Sequence, residues 1–269
     1  MSSTIFEGGV GRRVFGADVE GYEAGRPDYP EELFEILEAR SALRSGIAIF
    51  EVGPGTGQAT EQLLRRRPSR MVAIEPDERL AQHLTGLRAE APTDFRVEAT
   101  AFEDSALEPA SFDLGVAATS FHWLPARPAL AKVRRLLKPG GWWAMWWNVY
   151  RGMPDPDPFA RAVEPILAGI EWPPSFVGDR HCSLETETRM DELAEAGFVS
   201  SSFTLIRREH KLSAAQLRAL YSTFSAIRLL PPEDARRRLD AIEQLADRDF
   251  GGAAQRTILT PLYWAQAPH

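Results

Sequence analysis

Cysteine is nearly absent from this chain: Cys182 is the one thiol in 269 residues. A single thiol forms neither an internal disulfide nor a cysteine-based zinc site, and it suits a reducing compartment. Histidine is scarce as well. His83, His122, His181, His210 and His269 are never paired at metal-ligand spacing such as H-x-x-x-H, so no metal is expected. A basic excess is missing too. The formal net charge is -7 and the pI about 5.4. General nucleic-acid binders take much of their affinity from phosphate neutralisation, so no nucleic-acid partner is expected. No apolar run approaches the roughly 18 residues of a membrane span, and the first eleven residues have no apolar signal core. A cytoplasmic protein without membrane contact is the expectation.

What is present is ordinary for a soluble globular protein: 44% hydrophobic, 10% aromatic and 26% charged residues. Patterning predicts a helix at Glu31–Arg40, a buried strand at Ile47–Val52 and a helix at Gln58–Arg67. Arg65, Arg66 and Arg67 would then sit at the negative end of a helix dipole. A strand at Met71–Ile74, a helix at Glu78–Ala89, and strands at Phe95–Ala99 and Phe112–Ala118 follow. A helix at Ala126–Leu137 stops at Lys138-Pro139-Gly140-Gly141, before a strand at Trp142–Trp147. Alternating strands and helices argue for a mostly parallel sheet covered on both faces.

After Asn148 the rhythm changes. Residues 150–182 are rich in Pro and Asp, with a short helix near Phe159–Ile170. A helix at Glu187–Ala196 and a strand at Val199–Arg207 come next. Helices near Ala214–Leu229 and Pro232–Asp247 precede a last strand at Arg256–Ala265. No linker interrupts the chain. The expected organisation is one domain: a lid segment (1–30), a binding core (31–148), an insertion or cap (149–185) and completing strands and helices (186–269).

The strongest local signal is Glu51-Val52-Gly53-Pro54-Gly55-Thr56-Gly57-Gln58. A strand enters three glycines and then a helix, which allows a tight turn and the close approach of a ligand to free N–H groups. A dinucleotide-binding loop would carry glycine or alanine where Gln58 stands. The next strand ends in a carboxylate, Val72-Ala73-Ile74-Glu75-Pro76. An acid about 20 residues beyond the first loop glycine accepts hydrogen bonds from ribose hydroxyls in Rossmann-like folds. Together these features point to a nucleoside-containing ligand.

Glu51-Val52-Gly53-Pro54-Gly55-Thr56-Gly57, Ser111-Phe112-Asp113-Leu114 and Leu136-Leu137-Lys138-Pro139-Gly140-Gly141 resemble motifs of class I S-adenosylmethionine-dependent methyltransferases. Tyr22-x-x-x-Arg26-Pro27-x-Tyr29-Pro30, Phe102-Glu103-Asp104 and Ser120-Phe121-His122-Trp123-Leu124 are similar to a small-molecule branch near the trans-aconitate methyltransferase type, as is Tyr221 through Pro231. The resemblance implies a Rossmann-like α/β fold: a seven-stranded, mostly parallel sheet with helices on both faces and a helical lid or insertion. It implies S-adenosyl-L-methionine as cofactor. Gly53, Gly55 and Gly57 would lie under its methionine part, Glu51 would orient the loop or the amino group, and Glu75 would hold the ribose hydroxyls with Pro76 beside the sugar. Ala101 and Phe102 would flank the adenine, and Ala118 and Thr119 the methionine side. Arg26 would face the carboxylate, and Tyr22 and Tyr29 would close over the site. Many relatives carry Asp just after the third strand, where this chain reads Glu98-Ala99-Thr100-Ala101.

Methyl transfer from a sulfonium is an in-line displacement, which the protein serves mainly by alignment. A hydroxyl acceptor benefits from a general base and a carboxylate needs none. His122, after the fourth strand, is the base candidate. Trp123 and Trp147 are candidates beside the acceptor or sulfonium, with Trp172, Phe176, Arg180 and Tyr29 as further substrate candidates. The other tryptophans of Trp142–Trp147 are expected in the core. The expected partner is a small-molecule methyl acceptor, methylated at oxygen, for a monomer or homodimer. A non-catalytic cofactor-binding module and an NAD-dependent oxidoreductase stay open as alternatives.

Overall fold

A computed structural model describes residues 21–22, 25–40, 42–87, 93–173 and 175–269. Most of the expected lid at 1–20 and the far end of the helix expected to reach Ala89 lie outside the described residues. The elements in chain order are α1 (Glu31–Ala39), β1 (Ala48–Val52), α2 (Gln58–Arg65), β2 (Arg70–Ile74), α3 (Glu78–Leu84) and β3 (Asp94–Glu98). Then come β4 (Phe112–Ala118), α4 (Ala126–Leu136), β5 (Leu137–Trp146), α5 (Pro158–Leu167), β6 (Phe176–Val177), β7 (Arg180–His181) and α6 (Thr186–Glu195). The last are β8 (Val199–Ser213), α7 (Ala214–Ser222), α8 (Ser225–Arg228), α9 (Pro232–Phe250) and β9 (Ala253–Gln266).

Seven strands form one sheet in the order β3-β2-β1-β4-β5-β9-β8. The pairs β3–β2, β2–β1, β1–β4 and β4–β5 are parallel, and β9 runs antiparallel to β5. This is the expected Rossmann-like class I arrangement. Every residue of β1 is buried, as a strand covered on both faces requires. The ring of Phe50 in β1 lies against Gly115 of β4, where an added Cβ would stand 2.2 Å from Phe50 Cζ. That glycine makes room for an aromatic stack in which Phe50 meets Phe102, Phe112 and Trp143.

The described residues divide into two compact units. One holds Tyr29–Asn148, Ser183–Ile206 and Thr260–His269; the other holds the described residues up to Asp28, with Val149–Cys182 and Arg207–Leu259. In the first, Leu33, Phe34 and Leu37 of α1, Leu63 and Leu64 of α2, and Trp146, Leu262 and Trp264 share one apolar core. In the second, Arg256 is 1% exposed yet fully paired. It donates to Asp157 Oδ2 at 3.0 Å, Tyr221 Oη at 3.1 Å and the Tyr150 carbonyl at 3.0 Å. Asp157 also caps α5 by accepting from Ala160 N at 2.7 Å.

Several boundaries differ from the sequence expectation. β5 begins at Leu137, not Trp142, because Leu137 pairs with Phe112 before a register shift carries the chain through Gly140 at φ 72°. β8 continues past Arg207 to Ser213, and its charged positions are tolerable because it is an edge strand. The single helix expected over Ala214–Leu229 is broken at Thr223–Phe224 into α7 and α8. The insertion also carries an unforeseen hairpin, β6–β7. Arg66 does more than face a helix dipole: it pairs with Glu31 and Glu38 and lies over the Phe34 ring. Among the described residues no helix is long and apolar enough to cross a membrane.

Candidate active site

The ends of β1, β2, β4 and β5 bring most of the candidate residues of the first unit together. β1 delivers Glu51 and then the glycine loop. Gly53, Gly55 and Gly57 all have positive φ, at 64°, 62° and 97°. A Cβ on Gly53 would stand 2.7 Å from Ser120 Cβ, so the loop can pass the end of β4 only without a side chain there. A Cβ on Gly55 would meet no atom of the described residues within 4 Å. The backbone at Gly55 thus faces open space, a cradle that a side chain would fill.

Glu75 leaves the end of β2 and is 3% exposed. Its two oxygens accept from Gly55 N and Asp77 N, each at 3.0 Å. Burial pushes its carboxyl up to about 7, against those two hydrogen bonds. Pro76 beside it is half-buried. Glu51 is fully buried. Its Oε2 accepts from Thr60 Oγ1 at 2.7 Å, while Oε1 has no hydrogen-bond partner. Burial pushes Glu51 up to about 7, with the neighbouring charge of Glu75 adding to the rise. A buried polar atom without a partner costs about 1–3 kcal/mol, and more when charged. Such an oxygen calls for a donor that the described residues do not supply.

At the end of β4, Ala118 is buried and Thr119 takes φ 53°, a strained value for a branched residue. Thr119 is held by its N–H on the Trp146 carbonyl at 2.7 Å. Its hydroxyl shares a hydrogen bond with Tyr29 Oη at 2.9 Å and accepts from Asn148 N at 3.3 Å. Asn148 Oδ1 accepts in turn from Thr260 Oγ1 at 2.8 Å. A short 3-10 turn over Phe121–Trp123 then presents half-buried His122 and Trp123. Trp147 Nε1 donates to His122 Nδ1 at 3.0 Å.

Two expectations change here. Trp147 does not line an acceptor pocket: it is fully buried, edge-on to Tyr263, and acts on His122 instead. Indole N–H only donates, so Nδ1 must be unprotonated, and the neutral ring then carries its proton on Nε2. Phe102 does not offer its ring to a base: it is 3% exposed, with Phe50 stacked on it at 6.2 Å and Lys132 Nζ 5.1 Å from its centroid. Lys132 also donates to the Phe102, Glu103 and Ser105 carbonyls, which fixes the turn after half-buried Ala101.

The second unit gathers the remaining candidates. Arg26 donates to Thr223 Oγ1 at 2.7 Å, and its guanidinium lies over the rings of Tyr22, Tyr150 and Phe224. Trp172 packs on Phe176 and Phe224. Arg151 stacks over Trp172 at 4.2 Å and pairs with Glu164 at 2.8 Å. Arg180 is exposed in β7, beside His181, which burial and then the Arg26 charge push down to about 3. Sequence reasoning missed Thr60, Thr260 and Lys132. Thr60 had a signal, since it lies on the first turn of the helix that follows the loop.

Residues 50–145 match the methyltransferase-domain family. An uncharacterized methyltransferase of Schizosaccharomyces pombe is 29% identical over 224 residues, 82% of each chain. One of Mycobacterium tuberculosis is 35% identical over 134 residues, covering 50% of this chain and 51% of that one. Among solved structures, a protein from Anaeromyxobacter dehalogenans assigned as a type II methyltransferase matches with TM-score 0.65 at 23% identity, over 91% of this chain and 99% of that one. A phosphoethanolamine N-methyltransferase 2 of Haemonchus contortus, solved with phosphomonomethylethanolamine and S-adenosylhomocysteine, matches with TM-score 0.55 at 12% identity, over 94% of this chain and 58% of that one. With this match across the core and the shared sheet order, the chain is an S-adenosylmethionine-dependent methyltransferase with the class I, Rossmann-like fold.

Proposed function

We propose that this enzyme methylates an oxygen of a small acidic molecule, a carboxylate. The observation that carries this reading is the hydrogen bond from Trp147 to His122 Nδ1. It leaves the imidazole as a donor through Nε2–H, suited to orienting an anionic oxygen and unsuited to stripping a proton from a hydroxyl. A carboxylate arrives ionised and needs no base.

In this reading the open backbone at Gly55, with Gly53 and Gly57, receives the methionine part, and Glu51 Oε1 accepts from its ammonium. Glu75 takes the ribose hydroxyls beside Pro76. The backbone of Ala101 and Phe102 borders the adenine, and Ala118 and Thr119 border the methionine side. When bound, S-adenosylmethionine supplies a methyl on a positively charged sulfur; the carbon–sulfur bond breaks as the carbon–oxygen bond forms, and S-adenosylhomocysteine leaves. Tyr29, fixed on Thr119, and Trp123 shape the end of β4 where the acceptor oxygen is held. We read the chain as one methyltransferase domain, with residues 149–185 as its acceptor-selecting part. The net charge of -7 supports a free small molecule over a nucleic acid.

The test is an acceptor panel with methyl-labelled S-adenosylmethionine: mono-, di- and tricarboxylates against phenols, alcohols and amines. Methyl-ester products only from carboxylates support the reading. Turnover confined to hydroxyl or amine acceptors overturns it.

A further inference from the structure

The two carboxyls beside the glycine loop do more than mark a cofactor site. Glu51 is fully buried, one oxygen on Thr60 and the other unpartnered. The groups facing it come from each neighbouring element. From the end of β2 there are Glu75 and, beyond it, Asp77, whose charge is taken by Arg79. From α2 there is only the Thr60 hydroxyl, since Glu61 is half-exposed beside Arg65. In register on β2 and β4 stand uncharged Ala73 and Val116. Among the described residues no cation pairs with Glu51 or Glu75.

We propose that the cofactor-free enzyme carries protons on the Glu51–Glu75 pair, and that cofactor capture expels them to solvent, the ammonium of the methionine part replacing the proton at Glu51. The inference rests on the placement of Glu51 toward that ammonium. A buried carboxyl pair without a cation resists ionising twice. Both groups lie at about 7 in the free protein. The protonated form of the pair is therefore populated near neutral pH. An ammonium on Glu51 and ribose hydroxyls on Glu75 both favour the ionised form, so the complex holds fewer protons than the free enzyme. Affinity must then fall as pH drops below 7, by up to about tenfold per pH unit for each group involved.

Calorimetric titration of the full chain at pH 7 in phosphate and in Tris separates proton release from binding heat. Two probes divide the groups: S-adenosylhomocysteine has the amino acid part, and 5′-methylthioadenosine lacks it. More protons are expected to leave with the first than with the second. Glu51→Gln brings the first value down to that of the second. Thr60→Val, which removes the hydroxyl that favours ionised Glu51, shifts the release of the first probe to higher pH and serves if Glu51→Gln does not fold. S-adenosylhomocysteine binding with no proton release, or with the same release as methylthioadenosine, overturns the proposal. If neither probe binds, the placement of the cofactor falls, and the proposal with it.

Discussion

Trp147 Nε1 stands 3.0 Å from His122 Nδ1 and fixes which nitrogen of that imidazole is bare. The contact links a fully buried core residue to a half-buried imidazole at the end of β4. His122→Gln keeps an acceptor for the indole and a donor toward the acceptor molecule, so we expect a tenth or more of the turnover to survive. His122→Ala is expected to lose about 10²-fold in kcat. Steady-state kinetics decide, and equal collapse of both variants would restore a base role.

Trp147→Phe removes the indole N–H while keeping an aromatic in the core. His122 is then free to protonate on Nδ1, and the pH–rate profile should gain an inflection in the range where histidines titrate. Nitrogen-15 spectra of labelled histidine should show Nδ1 unprotonated in the parent and mixed tautomers in the variant.

Gly55→Ala probes the cradle. Positive φ costs a non-glycine residue about 1–2 kcal/mol, so melting temperature drops modestly. The new Cβ clashes with none of the described residues. If the space holds the cofactor, the Kd for S-adenosylhomocysteine should rise tenfold or more. A normal Kd would move the methionine part elsewhere.

Glu51 makes the free enzyme sensitive to alkali. Its carboxyl is raised from 4.5 to about 7 on folding. The raised folded value means the charged form is disfavoured in the native state: no cost below about pH 4.5, and a growing cost as pH rises through 7. At about 1.4 kcal/mol per unit, the full cost is about 3 kcal/mol. Glu51→Gln should therefore raise the denaturation midpoint of the cofactor-free protein at pH 8 and leave it nearly unchanged at pH 5.

Gly115→Ala tests the notch under Phe50. The added methyl overlaps a ring that also touches Phe102, Phe112 and Trp143. Overpacking of this kind costs about 1–3 kcal/mol, readable in urea unfolding.

The core strands were legible because each parallel strand is a short apolar run between glycines or prolines, as at Ile49–Val52 and Met71–Ile74. Phe112–Ala118 was read to the residue. The loop and Glu75 were legible because tight turns need glycine and a strand-end acid is conspicuous. Side-chain partnerships were not. Nothing in the order of Trp142 to Asn148 says which indole reaches His122, because that depends on the register of β5 against β4. Phe102 looked available because a residue after a strand usually faces the site, yet the gap left by Gly115 and Phe50 draws its ring inward. Likewise the charged stretch after Arg207 hid six further residues of β8, since an edge strand needs no apolar period.

The placement of β9 between β5 and β8 orders the assembly of the sheet in time. The five parallel strands that carry the glycine loop pair with neighbours already synthesised. β8, though made earlier than β9, has no strand to join until β9 is laid down. The glycine-loop half of the site can therefore take shape on the ribosome while the far side of the sheet waits. During that interval β5 and β8 both expose unpaired edges, and this is when a nascent chain of this enzyme is most open to chaperones and to misassociation.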